Sequence, residues 1–462
     1  MPIRELRILP PLAIARFGSS ATPLEAYELK ICDNDPLGFR QICPVETLEI
    51  DPDSGAVKQI YTPKRIRFRD GEHIRPVAPF LEVFAKTGND TLEPLTIDLL
   101  AAEGLQPDGI RWSVEVGNLK AFRQTGDPRD KVIATTGKFS DHAAHKLEGD
   151  SPNFRKDKKI PFGKVRYIRP TADFREIRLR FTPAEGLVYG ANEQDPLFAE
   201  KPERVVYNPG PGGGTWLGFQ SDANSRTLTN PSDIYEGAED PSTDPNKMGA
   251  SKGYLDDVCD GPVFVELTLK DGSTLTAHAW ISSCMPAFAP DSQPVRTVAD
   301  ELEQLILGPD LKPGEASIEE AAEVVRRALE TVRLMNTAAM NGNVIDGRVN
   351  IAHTLITQDT NDYRRLYAPV MASSLVDNLA VRALHERVYA ALLSGSAPWF
   401  AQVLRKPEEV GDLSDKGRRK MPPMLRGADG RGLALTRRQS NKIIQAAKEK
   451  SCRDGGKQEP EK

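Results

Sequence analysis

Asp271-Gly272 stands between two runs of alternating apolar and polar residues, Val263 to Leu269 and Thr274 to Ile281. That arrangement is the strongest short-range signal for a β-hairpin, and it constrains this chain more than any other stretch. With Asp271 and Gly272 as the two central turn residues, Lys270 faces Ser273, Val265 faces His278 and Val263 faces Trp280. Val263, Val265, Leu267, His278 and Trp280 then share one face of the ribbon. The same register carries Cys259 toward Cys284, although Gly261-Pro262 is expected to interrupt the pairing first, because proline has no N–H to donate. An acidic knot of Asp256, Asp257 and Asp260 precedes the hairpin. Behind it, Pro286, Pro290 and Pro294 would each break a helix.

The hairpin also marks a change of period. Ahead of it, Tyr27 to Ile31, Thr47 to Ile50, Val57 to Tyr61, Lys64 to Arg69, Pro79 to Ala85, Ile110 to Val116 and Phe162 to Pro170 all read as strands. Asp51 to Gly55 supplies a hairpin loop between two of them. Leu9-Pro10-Pro11-Leu12 breaks the first strand. After Thr297 the apolar residues recur at helical spacing. Ser317 to Glu320 reads as a capping box ahead of the stripe Ala321, Val324, Val325, Ala328, Leu329 and Val332. A second stripe, Val376, Ala380, Ala383, Leu384, Val388 and Leu392, ends at Ser394-Gly395. Both stripes read as core. The expected class is α+β, with a mostly antiparallel β-rich domain over 1–295, a mostly helical domain over 296–450, and a disordered tail over 451–462.

Composition excludes several function classes. Sixty-one Lys and Arg against 66 Asp and Glu give a near-balanced chain, which argues against a dedicated nucleic-acid binder. No apolar run is long enough to span a bilayer. The N-terminus lacks the apolar core and small-residue cleavage site of a signal peptide. Five cysteines over 462 residues do not make a disulfide framework, so a reducing cytoplasmic compartment is expected.

Other stretches bear on chemistry. His142 and His145 form the only close histidine pair, but no third histidine or cysteine lies nearby to complete a metal site. Asn208 to Trp216 is glycine-rich without the Gly-Lys-Ser/Thr ending of a phosphate loop or the spacing of a dinucleotide fold. Gln220 to Ser251 is polar and reads as a long surface excursion. From Leu404 onward, 16 Lys and Arg against 9 Asp and Glu give a local excess of +7, concentrated in Lys416 to Lys420 and Arg437-Arg438. That excess reads as a solvated or partner-facing surface, with an anionic ligand or nucleic acid as the alternative.

Leu255-Asp256-Asp257-Val258-Cys259-Asp260-Gly261-Pro262-Val263, followed by the hairpin and then Ala279 to Asp291, resembles the LodA-like family of quinoprotein amino-acid oxidases. The opening Ile8 to Gly18 is similar to the family's N-terminal pattern. Met421-Pro422-Pro423, with Leu435-Thr436-Arg437-Arg438-Gln439 after it, is similar to a stretch ahead of the family's cofactor region. The resemblance runs through most of the chain in order. It implies oxidative deamination of an amino acid or amine with release of peroxide, a homo-oligomer as one possible assembly, and a neighbouring flavoprotein as maturation partner. The basic segment Lys416 to Arg438 is the candidate contact for that partner.

The family's cofactor, cysteine tryptophylquinone, is made from the protein itself: a cysteine sulfur is joined to a tryptophan ring oxidised to an ortho-quinone. The chemistry asks for one Cys, one Trp, a general base and an amine pocket. In the family the cofactor cysteine and tryptophan lie downstream of the MP…LT-x-x-Q region. Here Cys452 is the only cysteine after that region and no tryptophan follows Trp399, so the resemblance matches no residue to the pair. The candidates that remain are Trp280 with Cys284, or Trp280 with Cys259, with Asp256, Asp257 or Asp260 as base and His278 beside them. Against these stands the reading that Trp280 and both cysteines are core residues. A self-contained oxidase, a truncated homologue needing a partner and a non-catalytic scaffold or interaction protein therefore all remain open.

Overall fold

The computed structural model describes residues 3–38, 40–88, 91–126, 128–152, 159–189, 255–287, 289–333, 375–395, 399–409, 420–422 and 434–455. The glycine-rich stretch, the polar excursion after it, the turns near 341–347 and Lys416 to Arg419 lie outside those residues. The chain divides into two compact units. One comprises Met1–Glu28 and Cys43–Ala287, the other Leu29–Ile42 and Phe288–Lys462.

The first unit is built from two sheets. In one, the order is Glu5–Leu9, Phe80–Lys86, Arg178–Pro183, Ile160–Tyr167 and Ala144–Gly149, with Leu92–Pro94 also pairing with Phe80–Lys86. In the other it is Val132–Thr135, Ile110–Asn118, Asp260–Thr268, Thr274–Cys284 and Leu12–Arg16. Every pairing within these two sheets is antiparallel except the last, where Leu12–Arg16 runs parallel to Thr274–Cys284. The Pro10-Pro11 break thus separates two strands that belong to different sheets. Alternating residues of both sheets meet in one continuous core. Leu81, Val83, Leu179, Phe181 and Val165 come from one sheet, and Trp112, Val114, Val263, Val265, Ala279 and Ile281 from the other. Each fully buried aliphatic side chain of this kind contributes about 1.5–3 kcal/mol relative to exposure.

The hairpin forms one residue out of the register expected from a two-residue turn. Thr268 faces Thr274, Phe264 faces His278 and Pro262 faces Trp280. The turn has three central residues, Lys270, Asp271 and Gly272. Leu269 N donates to Ser273 O at 2.8 Å and Gly272 N donates to Leu269 O at 3.0 Å. Gly272 sits at φ 84°, the left-handed position that closes a three-residue hairpin loop. Asp271 Oδ1 holds this form by accepting from Ser273 N at 2.9 Å and Ser273 Oγ at 2.6 Å. A one-residue slip moves every side chain of one strand to the other face. His278 and Trp280 are accordingly exposed, opposite in direction to Val263, Val265 and Leu267, and the expected shared face does not exist.

Gly261-Pro262 interrupts a ladder, but not the one expected. Pairing with Thr274–Cys284 runs unbroken to Asp260–Ser282, whereas the register with Ile110–Asn118 skips from Val263 to Asp260. The missing proline N–H thus falls on the side of Ile110–Asn118. There the backbones approach so closely that a Cβ on Gly261 would lie 2.0 Å from Glu115 O. Lys64 to Phe68 also departs from expectation: only Arg69–Asp70 is strand, and Arg67 N is taken up instead by the Glu25 carboxylate at 3.4 Å.

In the second unit, Thr297 caps the Val298–Leu307 helix in a capping box with Asp300. Ser317 Oγ accepts from Glu320 N at 3.0 Å at the start of Ile318–Arg333. Leu375–Leu393 stops at Gly395, and Arg437–Gly455 runs past Ser451, where the sequence suggests that order would end. Ala321, Val325, Ala328, Val388, Leu392, Leu435, Ile443 and Ala447 form the core. The Leu29–Ile42 segment is locked into this unit by Arg40, which pairs with Glu330 and Glu323 at 2.6 Å each. Among the described residues no helix is long and apolar enough to cross a membrane.

Candidate functional site

The acidic knot is held where the Ile110–Asn118 strand ends and a short helix, Lys120–Thr125, begins. Asn118 orients both. Its Oδ1 accepts from Lys120 N at 3.1 Å, and its Nδ2 donates to the Asp256 carboxylate and to Asp256 O at 2.9 Å each. The Lys120 ammonium pairs with the other carboxylate oxygen of Asp256. Val258 N completes the set at 3.3 Å. Asp256 is therefore fully engaged as the hub of a buried polar network.

Asp257 points elsewhere. Its Oδ2 accepts from Gly186 N at 3.0 Å and Leu187 N at 2.9 Å, while its Oδ1 is buried with no hydrogen-bond partner. The side chain is 0% exposed. Burial, followed at a distance by the neighbouring Asp256 charge, pushes its pKa up to about 7 against the opposing pull of the Leu187 and Gly186 N–H groups. Asp257 thus titrates near neutrality, and its orphan oxygen is the natural seat of the proton. Asp260, the third carboxylate, is exposed at the start of the hairpin. A general base has to come within hydrogen-bond reach of a substrate proton. Of the three carboxylates, only Asp260 faces solvent.

Cys259 lies opposite Ser283 rather than Cys284. Ser283 N donates to Cys259 O at 2.8 Å, and Ser283 Oγ accepts from Cys259 N at 2.9 Å. The Cys259 sulfur is buried, 3.6 Å from Ser283 Oγ and 3.8 Å from Phe162 O. Burial drives its pKa up to about 12, partly offset by the Ser283 hydroxyl, so it is a protonated thiol rather than a nucleophile. Cys284 is half-buried on the outward side of its strand. Its sulfur lies 3.5 Å from Ala15 O and its pKa is raised by burial, with Arg16 acting in the other direction.

Trp280 is 43% exposed on the outward face, and His278 beside it lies 6.2 Å from the Phe264 ring. Trp280 and Cys259 therefore project to opposite faces of the sheet. Trp280 and Cys284 share a face but stand four residues apart on one strand, about 13 Å along it. A thioether needs bonded contact, so the crosslink of a tryptophylquinone does not fit either pair. His142 accompanies the Tyr167 carbonyl at 3.1 Å and His145 the Asp141 carboxylate at 2.9 Å, and no metal-ligating cluster occurs among the described residues. The described cations of the basic segment are committed within the chain: Lys420 to Glu409, Arg437 to Glu408, Arg438 to Glu303 and Glu315. The sequence alone does not single out Asn118, Lys120 or Ser283.

These residues define a two-sheet, largely antiparallel β unit with a helical unit formed mainly from the later chain. No protein-family profile matches the sequence, and none of the curated proteins does. Among solved structures, the chain is similar to the L-Lys ε-oxidase of Marinomonas mediterranea and to the Schiff base intermediate of that enzyme with L-Lys. Each likeness has a TM-score of 0.47 and 16% identity over 96% of this chain. A further structure of the same oxidase gives a TM-score of 0.45 at 16% identity. The chain spans about three fifths of the length of those oxidase chains, 60–61%.

Proposed function

We propose that this chain is a LodA-like scaffold whose described residues serve binding rather than amine oxidation. The sequence motifs around Asp256 to Val263 support the kinship. The observation that supports the non-catalytic reading is the separation of Trp280 from both cysteines. The acidic knot is then a structural clasp: Asp256 ties the end of one strand to the next helix, and Asp257 ties the Gly186-Leu187 backbone to the hairpin. Quinone staining after electrophoresis and peroxide release from a panel of amino acids and amines test this reading. Neither signal is expected. Staining together with peroxide, both abolished by Trp280→Phe, would overturn it in favour of a self-contained oxidase. By the family resemblance, we further propose association with a flavoprotein. Pull-down at low salt checks it, and no retention counts against it.

A further inference from the structure

The sheet that contains Phe80–Lys86 gathers cations on its outer face that no carboxylate answers. They stand in two neighbouring rows. In one, Ala144, Arg166, Arg180 and Phe80 lie side by side on four adjacent strands, and in the next Lys146, Lys164 and Thr182 do so on three. These side chains point away from the core, since Leu147, Val165, Leu179 and Phe181 between them are buried. Two pairs of like charge therefore face each other directly, Arg166 with Arg180 and Lys146 with Lys164, which is unfavourable in a sheet. Across Ala144–Gly149, Ile160–Tyr167 and Arg178–Pro183 the only carboxylate is Glu148. It lies past the bulge at Leu147, opposite Pro161, and makes no ion pair with these cations.

The neighbouring position shows an ordinary pairing. Arg178 faces Glu82 and bonds it at 2.7 Å. Two residues on, Arg180 faces Phe80 instead, and its guanidinium lies over that ring at 4.8 Å. Arg180 Nε is buried without an acceptor, and burial lowers the pKa of the side chain to about 10. Arg166 reaches only backbone, donating to Asp51 O at 3.2 Å and Pro52 O at 2.7 Å. The Asp51 carboxylate is itself taken up by Ser54 and by Asp53 N. Lys146 and Lys164 are exposed, and neither has an ion pair among the described residues.

We propose that these two rows form a binding site for a phosphate dianion, either free or carried as a monoester on a small molecule. Charge and shape select this ligand. A phosphate group brings a charge of about −1.5 to −2 at pH 7, and its oxygens accept from guanidinium forks and ammonium groups together. A carboxylate brings a single charge and only two oxygens. A phosphodiester backbone spreads one charge per phosphate along its length, whereas these cations gather on three adjacent strands. Strands about 4.8 Å apart and rows about 7 Å apart leave four long side chains able to converge on one group. The Thr182 hydroxyl stands in the same row as the two lysines and adds a donor. A bound dianion gives Arg180 the acceptor it lacks and offsets both like-charge pairs. The site lies on the other sheet from the hairpin, so it does not depend on whether a quinone forms.

Isothermal titration calorimetry of the full chain with sodium phosphate, at about pH 7.5 and an ionic strength held constant with sodium chloride, tests this. Saturable binding in the millimolar range or tighter is expected, with a melting temperature that rises as phosphate is added. Arg180→Met keeps an apolar chain against Phe80 and removes the fork. It is expected to fold, because a buried donor without an acceptor is lost, and to weaken binding at least about tenfold. Lys146→Gln with Lys164→Gln changes two exposed side chains, so melting without phosphate is expected to match the parent while affinity falls severalfold. Methyl phosphate that binds like phosphate assigns a monoester, and its exclusion assigns the free ion; either result supports the site. Sodium acetate is expected to give no saturable binding. The proposal is overturned by a parent that shows no saturable phosphate binding, by acetate that binds as tightly as phosphate, or by either variant binding phosphate as tightly as the parent.

Discussion

Replacing Asp257 by asparagine separates the cost of a buried charge from the clasp that the side chain makes. The amide introduced by Asp257→Asn would keep an oxygen for the Gly186 and Leu187 N–H groups and would carry no charge at any pH. In the native protein the carboxyl is raised from 3.8 to about 7, mainly by burial. A carboxyl raised in this way holds its proton more tightly folded than unfolded. It therefore imposes no penalty below the unfolded pKa, and stability is lost as pH climbs from there to the folded value. The full loss is about 3 pH units at 1.4 kcal/mol each, roughly 4 kcal/mol. Urea unfolding of parent and Asp257→Asn at matched pH, followed by emission of the buried Trp112, reads the difference. The variant is expected to gain on the parent by about 4 kcal/mol between pH 4 and pH 8, mostly before pH 7, with other titrations cancelling in the comparison. A gap that does not change with pH, or a parent that gains on the variant as pH rises, would refute the reasoning.

Two further outcomes follow from the same kind of accounting. Cys259, buried and with its pKa driven up to about 12, is expected to resist iodoacetamide at pH 8 in the folded protein, while half-exposed Cys32 and Cys43 react; peptide mapping that finds Cys259 alkylated first would contradict this. Arg40→Ala leaves Glu330 buried without its cation, at a cost of about 3–5 kcal/mol in unfolding experiments. Glu330→Gln in the same chain is expected to recover part of that loss.

Much of the fold was legible because it rests on period. Most of the alternating runs became strands, Lys64 to Phe68 being the exception, and the stripes from Ala321 and Val376 became helices. The hairpin's existence followed from Asp271-Gly272, but its register did not. Asp-Gly suits both a two-residue turn and a three-residue loop with Gly in the left-handed position, and in the three-residue loop formed here Asp271 bonds Ser273. The one-residue difference in register puts Trp280 on the face opposite Val263, away from Cys259. The two-sheet arrangement was hidden for another reason: Leu12–Arg16 joins Thr274–Cys284 across more than 260 residues of sequence, a contact no local pattern announces. The same holds for Asn118 and Lys120, whose roles exist only once the chain returns with Asp256. Tyr27 to Ile31 read as a strand, and nothing local showed that Arg40 would bind the segment after it to the later helices.

Peptide mass spectrometry of the purified chain tests the central claim most directly. A cysteine tryptophylquinone joins two side chains and adds two oxygens to the indole, so it cannot be missed in a digest. With Trp280 facing outward and both hairpin cysteines out of its reach, the account predicts a Trp280 peptide of unmodified mass, and Cys259 and Cys284 alkylated as free thiols after denaturation. A crosslinked peptide joining Trp280 to either cysteine, with the mass of the quinone, would contradict it.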